Sequence, residues 1–301
     1  MQIENIGIYH PHKLVQTEHP SGFSGEMLAL QRFLADSGLI VETNTCNTKV
    51  LLLSCFKEQQ GYDYSQLMRG LKQAKLIVWL ANDPEFYEVI PPFVQECSKG
   101  KLITGYCSNN KALLDNEFCY YLPIWEMQFA HLPKQITSAF TSNLDLCYIG
   151  NSRSAYRAKR LEYIAKSIQN KACGKVRLEG WGSLPAMGHL DARKPQAKST
   201  IVVGDESYSQ LGTRPHRLLQ GWASGMVTYY DGNLFKAENR ILEGACKVYG
   251  PLSLKRAITK LYSRSYFTSI VNEQYAELRK GLAILDNLPI MGKLLYYAQH
   301  H

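Results

Sequence analysis

The sequence predicts an α/β fold made of two doubly wound halves. Short apolar, β-branched runs alternate with helical stretches along most of its 301 residues. The alternation breaks once, around 122–142, and then restarts. The balance of charge changes sign across that break. Strands alternating with helices imply βαβ units, a mostly parallel sheet and right-handed crossovers. At roughly 150 residues per domain the chain divides in two, and it is long enough to bury its cores without disulfide or metal staples.

The first half reads as follows. Residues 3–9 form a first strand, and a loop rich in His, Pro and Gly follows over 10–22. Residues 26–34 have helical apolar spacing and stop before Gly38. Residues 50–55 are an apolar strand, 64–72 a helix and 76–80 a buried strand. A helix from about 84 to 98 ends at Gly100, and 101–106 is the next strand. The stretch 122–142, with Pro123, Pro133 and a polar run after Thr137, reads as a domain junction.

In the second half, 144–150 is a strand entering a glycine turn, 154–169 a helix and 175–180 a strand. Residues 183–198 are polar and punctuated by Pro and Gly, which suits a loop with a short helix. Residues 200–205 are a strand, 215–223 a helix and 225–230 a short strand. Helices follow at about 252–263, 268–280 and 288–298.

Composition excludes several classes. A hydrophobic fraction of 45% with 20% charged residues is an ordinary globular balance, not that of a disordered chain. No run approaches a membrane span, and Met1-Gln2-Ile3-Glu4-Asn5 lacks the basic and apolar regions of a secretory signal. The eight cysteines form no C-x-x-C pair, which favours reduced, buried thiols and leaves no metal-ligand set evident. Residues 1–135 carry 11 basic and 14 acidic side chains, net −3; residues 136–301 carry 23 and 12, net +11. A strongly basic half is either a solvated surface or a domain that handles phosphates.

Two segments suit phosphate chemistry. In Tyr148-Ile149-Gly150-Asn151-Ser152-Arg153-Ser154-Ala155-Tyr156-Arg157 a strand enters a glycine turn and opens a helix. A helix start offers free backbone N–H groups and a positive dipole end. Arg153 and Arg157 are i,i+4 and share a face, and two guanidinium forks suit a pyrophosphate. The segment is neither a Walker A loop nor G-x-G-x-x-G, and an outward-facing basic helix is the plainer reading. The second segment delivers Asp205 at a strand end, with Tyr208 beyond it, then a helix from Pro215 with Arg217 in its first turn and Gln220 one turn on. Gln220 both donates and accepts, as ribose hydroxyls require. A structural Asp and a surface Arg are the alternative.

Together these segments resemble the bacteriophage DNA glycosyltransferases of the T-even β-glucosyltransferase family. The shared pattern is Tyr-x-Gly-x-x-Arg-Ser-x-x-Arg over 148–157, then Gly204-Asp205-x-x-Tyr208, then Arg217 with Ala223-Ser224. The helix from Glu26 to Gly38 resembles its counterpart, and the likeness runs with gaps over most of the chain. The resemblance implies a GT-B fold: two Rossmann-like doubly wound domains facing a central cleft. It implies an acceptor-side domain over 1–135, a nucleotide-sugar domain over 136–285, and a C-terminal helix at 286–301 returning to the first domain. It also implies a UDP-sugar donor, UDP-glucose or UDP-arabinose. The acceptor the resemblance implies is 5-hydroxymethylcytosine in double-stranded DNA. The setting it implies is the cytoplasm of an infected bacterial host, where the product would escape host nucleases. A monomer with no membrane partner is expected, and a divalent metal is compatible although no protein ligand set is evident.

Carried over by residue, Arg153, Arg157 and Arg217 would hold the diphosphate, with Gly150 and Asn151 beside it. Asp205 and Tyr208 would lie near the donor. Gln220 stands where the family has a ribose-binding Glu. The family's catalytic Asp follows the strand matching 101–106, but this chain reads Cys107-Ser108-Asn109-Asn110 there. An inverting transfer needs a base for the acceptor hydroxyl; the candidates are Glu26, Asp115, and His10 or His12 after the first strand. The changed base and ribose contact favour a different donor sugar or acceptor. The alternatives are transfer to an already glycosylated base or a non-DNA glycan, and a binding protein without turnover.

Overall fold

The computed structural model describes residues 5–9, 22–54, 63–81, 90–107, 114–138, 140, 146–149, 176–179, 201–204, 216–231, 246–248 and 251–300. The chain forms two compact units. One is Met1–Glu18, Phe23–Ala130 and Ala283–His301; the other is His19–Gly22 and His131–Leu282.

The first unit runs β1 (Ile6–Tyr9), α1 (Gly22–Asp36), β2 (Val41–Thr43), β3 (Val50–Ser54), α2 (Tyr64–Gln73), β4 (Leu76–Ala81), α3 (Pro92–Cys97), β5 (Leu102–Tyr106), β6 (Cys119–Tyr121) and α4 (Ile124–Met127). Its six strands are ordered β2-β1-β3-β4-β5-β6, and every pairing is parallel. β4, Leu-Ile-Val-Trp-Leu-Ala, is buried throughout, as a central parallel strand covered on both faces must be. Asp63 caps α2 by accepting from the Gln66 N–H at 3.0 Å. At the other end of α2, Lys101 Nζ donates to the carbonyls of Leu71 (2.5 Å), Lys72 (3.2 Å) and Ala74 (2.7 Å), where the helix presents unpaired acceptors and negative dipole.

The connection from β2 to β3 is unusual. It must cross β1 to reach the next strand, and no helix carries it. Asn44 takes a left-handed φ of 62° and donates its N–H to Ile8 O at 2.8 Å. The chain then passes between β1 and α2 at two glycines. A Cβ on Gly7 would lie 2.5 Å from Thr48 Oγ1, and one on Gly70 would lie 2.3 Å from Cys46 Cβ. Both positions have room for a hydrogen only.

The structure corrects one expectation here and narrows another, the junction, since the boundary between the units falls between Ala130 and His131. The helix expected over 84–98 is not continuous: Ile90 and Pro91 are outside any helix, and α3 begins at Pro92; a residue before proline is pushed out of the helical region. Residues 82–89 lie outside the described residues. The expected junction over 122–142 opens with α4, whose neighbourhood is core: Leu122, Ile124, Met127 and Phe129 are buried.

The second unit contains β7 (Leu146–Ile149), β8 (Val176–Glu179), β9 (Ile201–Gly204), α5 (His216–Ala223), β10 (Val227–Asp231), β11 (Cys246–Val248), α6 (Pro251–Leu261) and α7 (Arg264–Leu282). The strand order is β11-β10-β9-β7-β8, again parallel throughout. The helix expected over 154–169 and the loop over 183–198 lie outside the described residues. α5 buries Leu219 and Trp222 and stops at Gly225, whose φ is +70°. Gly225 N–H donates to Trp222 O and Met226 N–H to Gly221 O, a Schellman ending. A Cβ there would also stand 2.2 Å from Thr137 O.

After α7, a 3-10 helix (Ala283–Asn287) leads to α8 (Pro289–His300). α8 belongs to the first unit and packs across its sheet, touching β3 and β6. Ile290, Leu294 and Ala298, four residues apart, are its buried face. Lys293 Nζ sits 5.2 Å over the Tyr120 ring. No described helix is long and apolar enough to cross a membrane.

Candidate functional site

In open parallel sheets ligands bind beyond the carboxyl ends of the strands, where the strand order reverses. In the second unit that point falls between β7 and β9, which are neighbours in the sheet but separated by β8 in sequence. Their register pairs Leu146 with Ile201 and Cys147 with Val202. β7 ends at Ile149 and β9 at Gly204, each two residues beyond the last of these pairs, so both strands finish at the same level. The chain leaves β7 into Gly150, Asn151, Arg153 and Arg157, and leaves β9 into Asp205 and Tyr208. The topology therefore starts both sequence-selected segments from adjacent strands at the switch point. The six residues themselves lie outside the described residues.

Arg217 and Gln220 are on α5, which follows β9. That helix is anchored in the core through Leu219 and Trp222. Trp222 Nε1 donates to Thr228 Oγ1 at 2.6 Å, joining α5 to β10. The helix is thus fixed by its apolar residues to the same sheet whose carboxyl ends carry the other candidates.

In the first unit the order β2-β1-β3 puts the switch point between β1 and β3. Tyr9 pairs with Leu53, so β1 and β3 end within one residue of each other. Tyr9 OH accepts from the Asp63 N–H at 3.0 Å, and burial raises its pKa. His10 and His12 follow β1 in sequence and lie outside the described residues. Glu26 is the fifth residue of α1, the helix that follows β1, and is 8% exposed. Asp115 is elsewhere. It is exposed, in the turn that enters the amino end of β6. There Asn116 Oδ1 accepts from the Phe118 N–H at 2.9 Å and Asn116 O from the Cys119 N–H at 2.9 Å. β6 is parallel to β5, so Asp115 lies toward the amino end of the sheet, whereas α1 begins after the carboxyl end of β1. The structure does not bring Glu26 and Asp115 together.

Cys107, just after β5, is buried and donates its N–H to Ala81 O at 3.2 Å. Sequence reasoning missed a pocket of about 320 Å³ lined by Cys46, Asn47, Asp63, Gln66, Arg69, Gly70 and Gln73. It exists because the 44–49 crossover runs under α2, and no local motif announces that. Burial and the nearby Asp63 push the Cys46 thiol up to about 12. Among the described residues no group of three or more His, Cys, Asp or Glu is gathered as for a metal ion.

No protein-family model matches the sequence, and no curated protein matches it. Solved structures do match the fold. T4 phage β-glucosyltransferase in complex with its UDP-glucose substrate superposes with a TM-score of 0.66 at 15% identity, over 99% of this chain and 100% of that one. The T4 phage enzyme in complex with UDP and Mn2+ gives 0.64 at 14%, over 98% and 99%. An α1,3-fucosyltransferase gives 0.55 at 9%, over 97% and 90%. The likeness extends over nearly the whole of each chain, and it joins the two parallel sheets above in one conclusion: this protein has the α/β GT-B fold of those glycosyltransferases.

Proposed function

We propose that this protein is a UDP-sugar-dependent glycosyltransferase that modifies 5-hydroxymethylcytosine in phage DNA. One observation carries the reading. The two segments chosen for phosphate chemistry leave from β7 and β9, the adjacent strands at the switch point of a parallel sheet. The whole-chain fold likeness to an enzyme solved with UDP-glucose supports it, as does that enzyme's description as DNA-modifying.

In this reading Arg153, Arg157 and Arg217 hold the diphosphate and offset its charge as it leaves. Gly150 and Asn151 flank it, Gln220 meets the ribose, and Asp205 and Tyr208 border the donor. The hydroxymethyl oxygen of the acceptor attacks the anomeric carbon. The bond from that carbon to the diphosphate oxygen breaks, its electron pair leaves on UDP, and the acceptor proton passes to a base. Glu26 and His12 are the candidates that follow the carboxyl end of β1; Asp115, at the other end of its sheet, is the weaker one. A base inside a duplex is out of reach, so the target nucleotide is flipped out. The enzyme acts as a monomer in the cytoplasm of the infected bacterial host.

The test is direct. The protein is incubated with DNA containing 5-hydroxymethylcytosine and a panel of UDP-sugars, and the nucleosides are weighed after digestion. A gain of one hexose or one pentose establishes the reaction and the donor. No gain with this DNA, nor with DNA already glycosylated, refutes the transferase reading and favours a binding protein without turnover.

A further inference from the structure

We infer that the exposed face of α6 and the start of α7 is a contact surface for the phosphate backbone of nucleic acid. The inference rests on the DNA-acceptor reading for its choice of polyanion. Its evidence is separate from the donor segments.

From 244 to 272 the sequence has no Asp or Glu and carries Lys247, Lys255, Arg256, Lys260 and Arg264. α6 buries Leu254, Ile258 and Leu261, a single stripe at i, i+4 and i+7. The opposite side of the helix therefore faces solvent. Leu252, Arg256, Thr259 and Lys260 stand there, all exposed. Arg256 and Lys260 are one turn apart, and Arg264 opens α7 four residues later. Two tyrosines accompany them, Tyr262 at 45% and Tyr266 at 39% exposure.

The second half of α7 is different. There Glu277 pairs with Lys280 at 2.5 Å, Glu273 accepts from Ser269 Oγ at 3.1 Å, and Arg279 donates to Leu132 O at 3.2 Å. Acids and bases balance on that stretch, whereas the 252–266 stretch is of one sign. A solvated helix kept soluble by charge usually mixes signs. Cations at one-turn spacing with exposed tyrosines suit a phosphodiester chain, since cations release its counterions and the tyrosines meet phosphate oxygens and sugars. Phosphate contacts of this kind position a duplex without reading its sequence.

The experiment uses the full chain, a fluorescent 24-base-pair duplex with or without 5-hydroxymethylcytosine, and anisotropy from 50 to 300 mM salt. The variants are R256A/K260A and Y266A. R256A/K260A is expected to bind both duplexes at least tenfold more weakly, with the salt slope reduced by about 2, near 0.9 for each lost phosphate contact. Y266A is expected to weaken binding with an unchanged slope. Thermal melting and calorimetric UDP binding are expected to match the parent, which separates loss of the face from loss of the fold or donor site. Parent-like duplex affinity and slope in R256A/K260A overturn the inference and leave the DNA-acceptor reading standing. Absence of duplex binding by the parent chain at 50 mM salt overturns that reading as well. If the parent instead sediments with phosphatidylserine vesicles and not with DNA, the face is a membrane contact and the inference fails.

Discussion

The side-chain amide of Gln274 on α7 pairs with both backbone groups of Thr228 on β10. Gln274 Oε1 accepts from the Thr228 N–H and Gln274 Nε2 donates to Thr228 O, each at 3.0 Å. β11 joins β10 only from Tyr229 onward, so the amide continues the ladder one residue before that strand begins. Thr228 Oγ1 meanwhile accepts from Trp222 on α5. All three residues are buried, and one polar knot ties two helices to the sheet of the second unit.

Replacing Gln274 with leucine leaves the Thr228 N–H and carbonyl buried without these partners. The expected cost is about 3 kcal/mol, read as a lower urea midpoint with an unchanged slope. A loss under about 0.5 kcal/mol would mean that water or another group takes over, and would remove the knot from the account of stability.

Gly7 and Gly70 hold the 44–49 crossover from either side. Alanine at either is expected to destabilise by about 1–3 kcal/mol, because the first heavy atom it meets is Thr48 Oγ1 or Cys46 Cβ in a packed core. Thermal melting checks it. Parent-like melting in both variants would show that the crossover shifts without strain.

Cys46, Tyr9 and Tyr275 all have raised pKa values, with burial as the first cause. Tyr275 is also held by a short hydrogen bond to Pro133 O. Each group keeps its proton in the folded state at a pH where the unfolded chain has begun to release it. Their contribution to stability is therefore complete below the unfolded values and is lost as pH rises through the folded ones. For Cys46 that window runs from 9.0 to about 12. Melting temperature is expected to fall across it, and C46A to fall less steeply than the parent. Equal slopes would assign the loss to the tyrosines.

Alanine at Arg153 or Arg157 is expected to weaken UDP binding tenfold or more, as loss of a charge-assisted bond of about 1.5–3 kcal/mol requires. Calorimetry with UDP alone reads this without any acceptor. Unchanged affinity in both variants would remove these arginines from the diphosphate.

The alternation of apolar runs and helices was legible because central parallel strands are buried on both faces: Val50-Leu51-Leu52-Leu53 and the whole of β4 are nearly continuous apolar sequence. The three-residue strands β2, β6 and β11 were not legible. β2 and β6 close the edges of the first sheet and β11 one edge of the second. Val41-Glu42-Thr43 and Cys119-Tyr120-Tyr121 are partly exposed, so no apolar run marks them. The Pro91-Pro92 pair marks the break at Ile90-Pro91 in the sequence, but the helical spacing around it masks the signal.

Local sequence is enough, then, for the fold class and, among the described residues, for the order of the buried strands and longer helices, because burial periodicity and turn chemistry are local. It also singled out Tyr148 to Arg157 and Gly204 to Tyr208, because their residue types suit phosphate wherever they stand. That β7 and β9 are neighbours, and that Asp115 enters the amino end of β6 while α1 follows the carboxyl end of β1, emerges only in three dimensions. Strand order depends on which crossovers bury the most apolar surface between elements distant in the chain, and no short stretch of sequence contains that comparison.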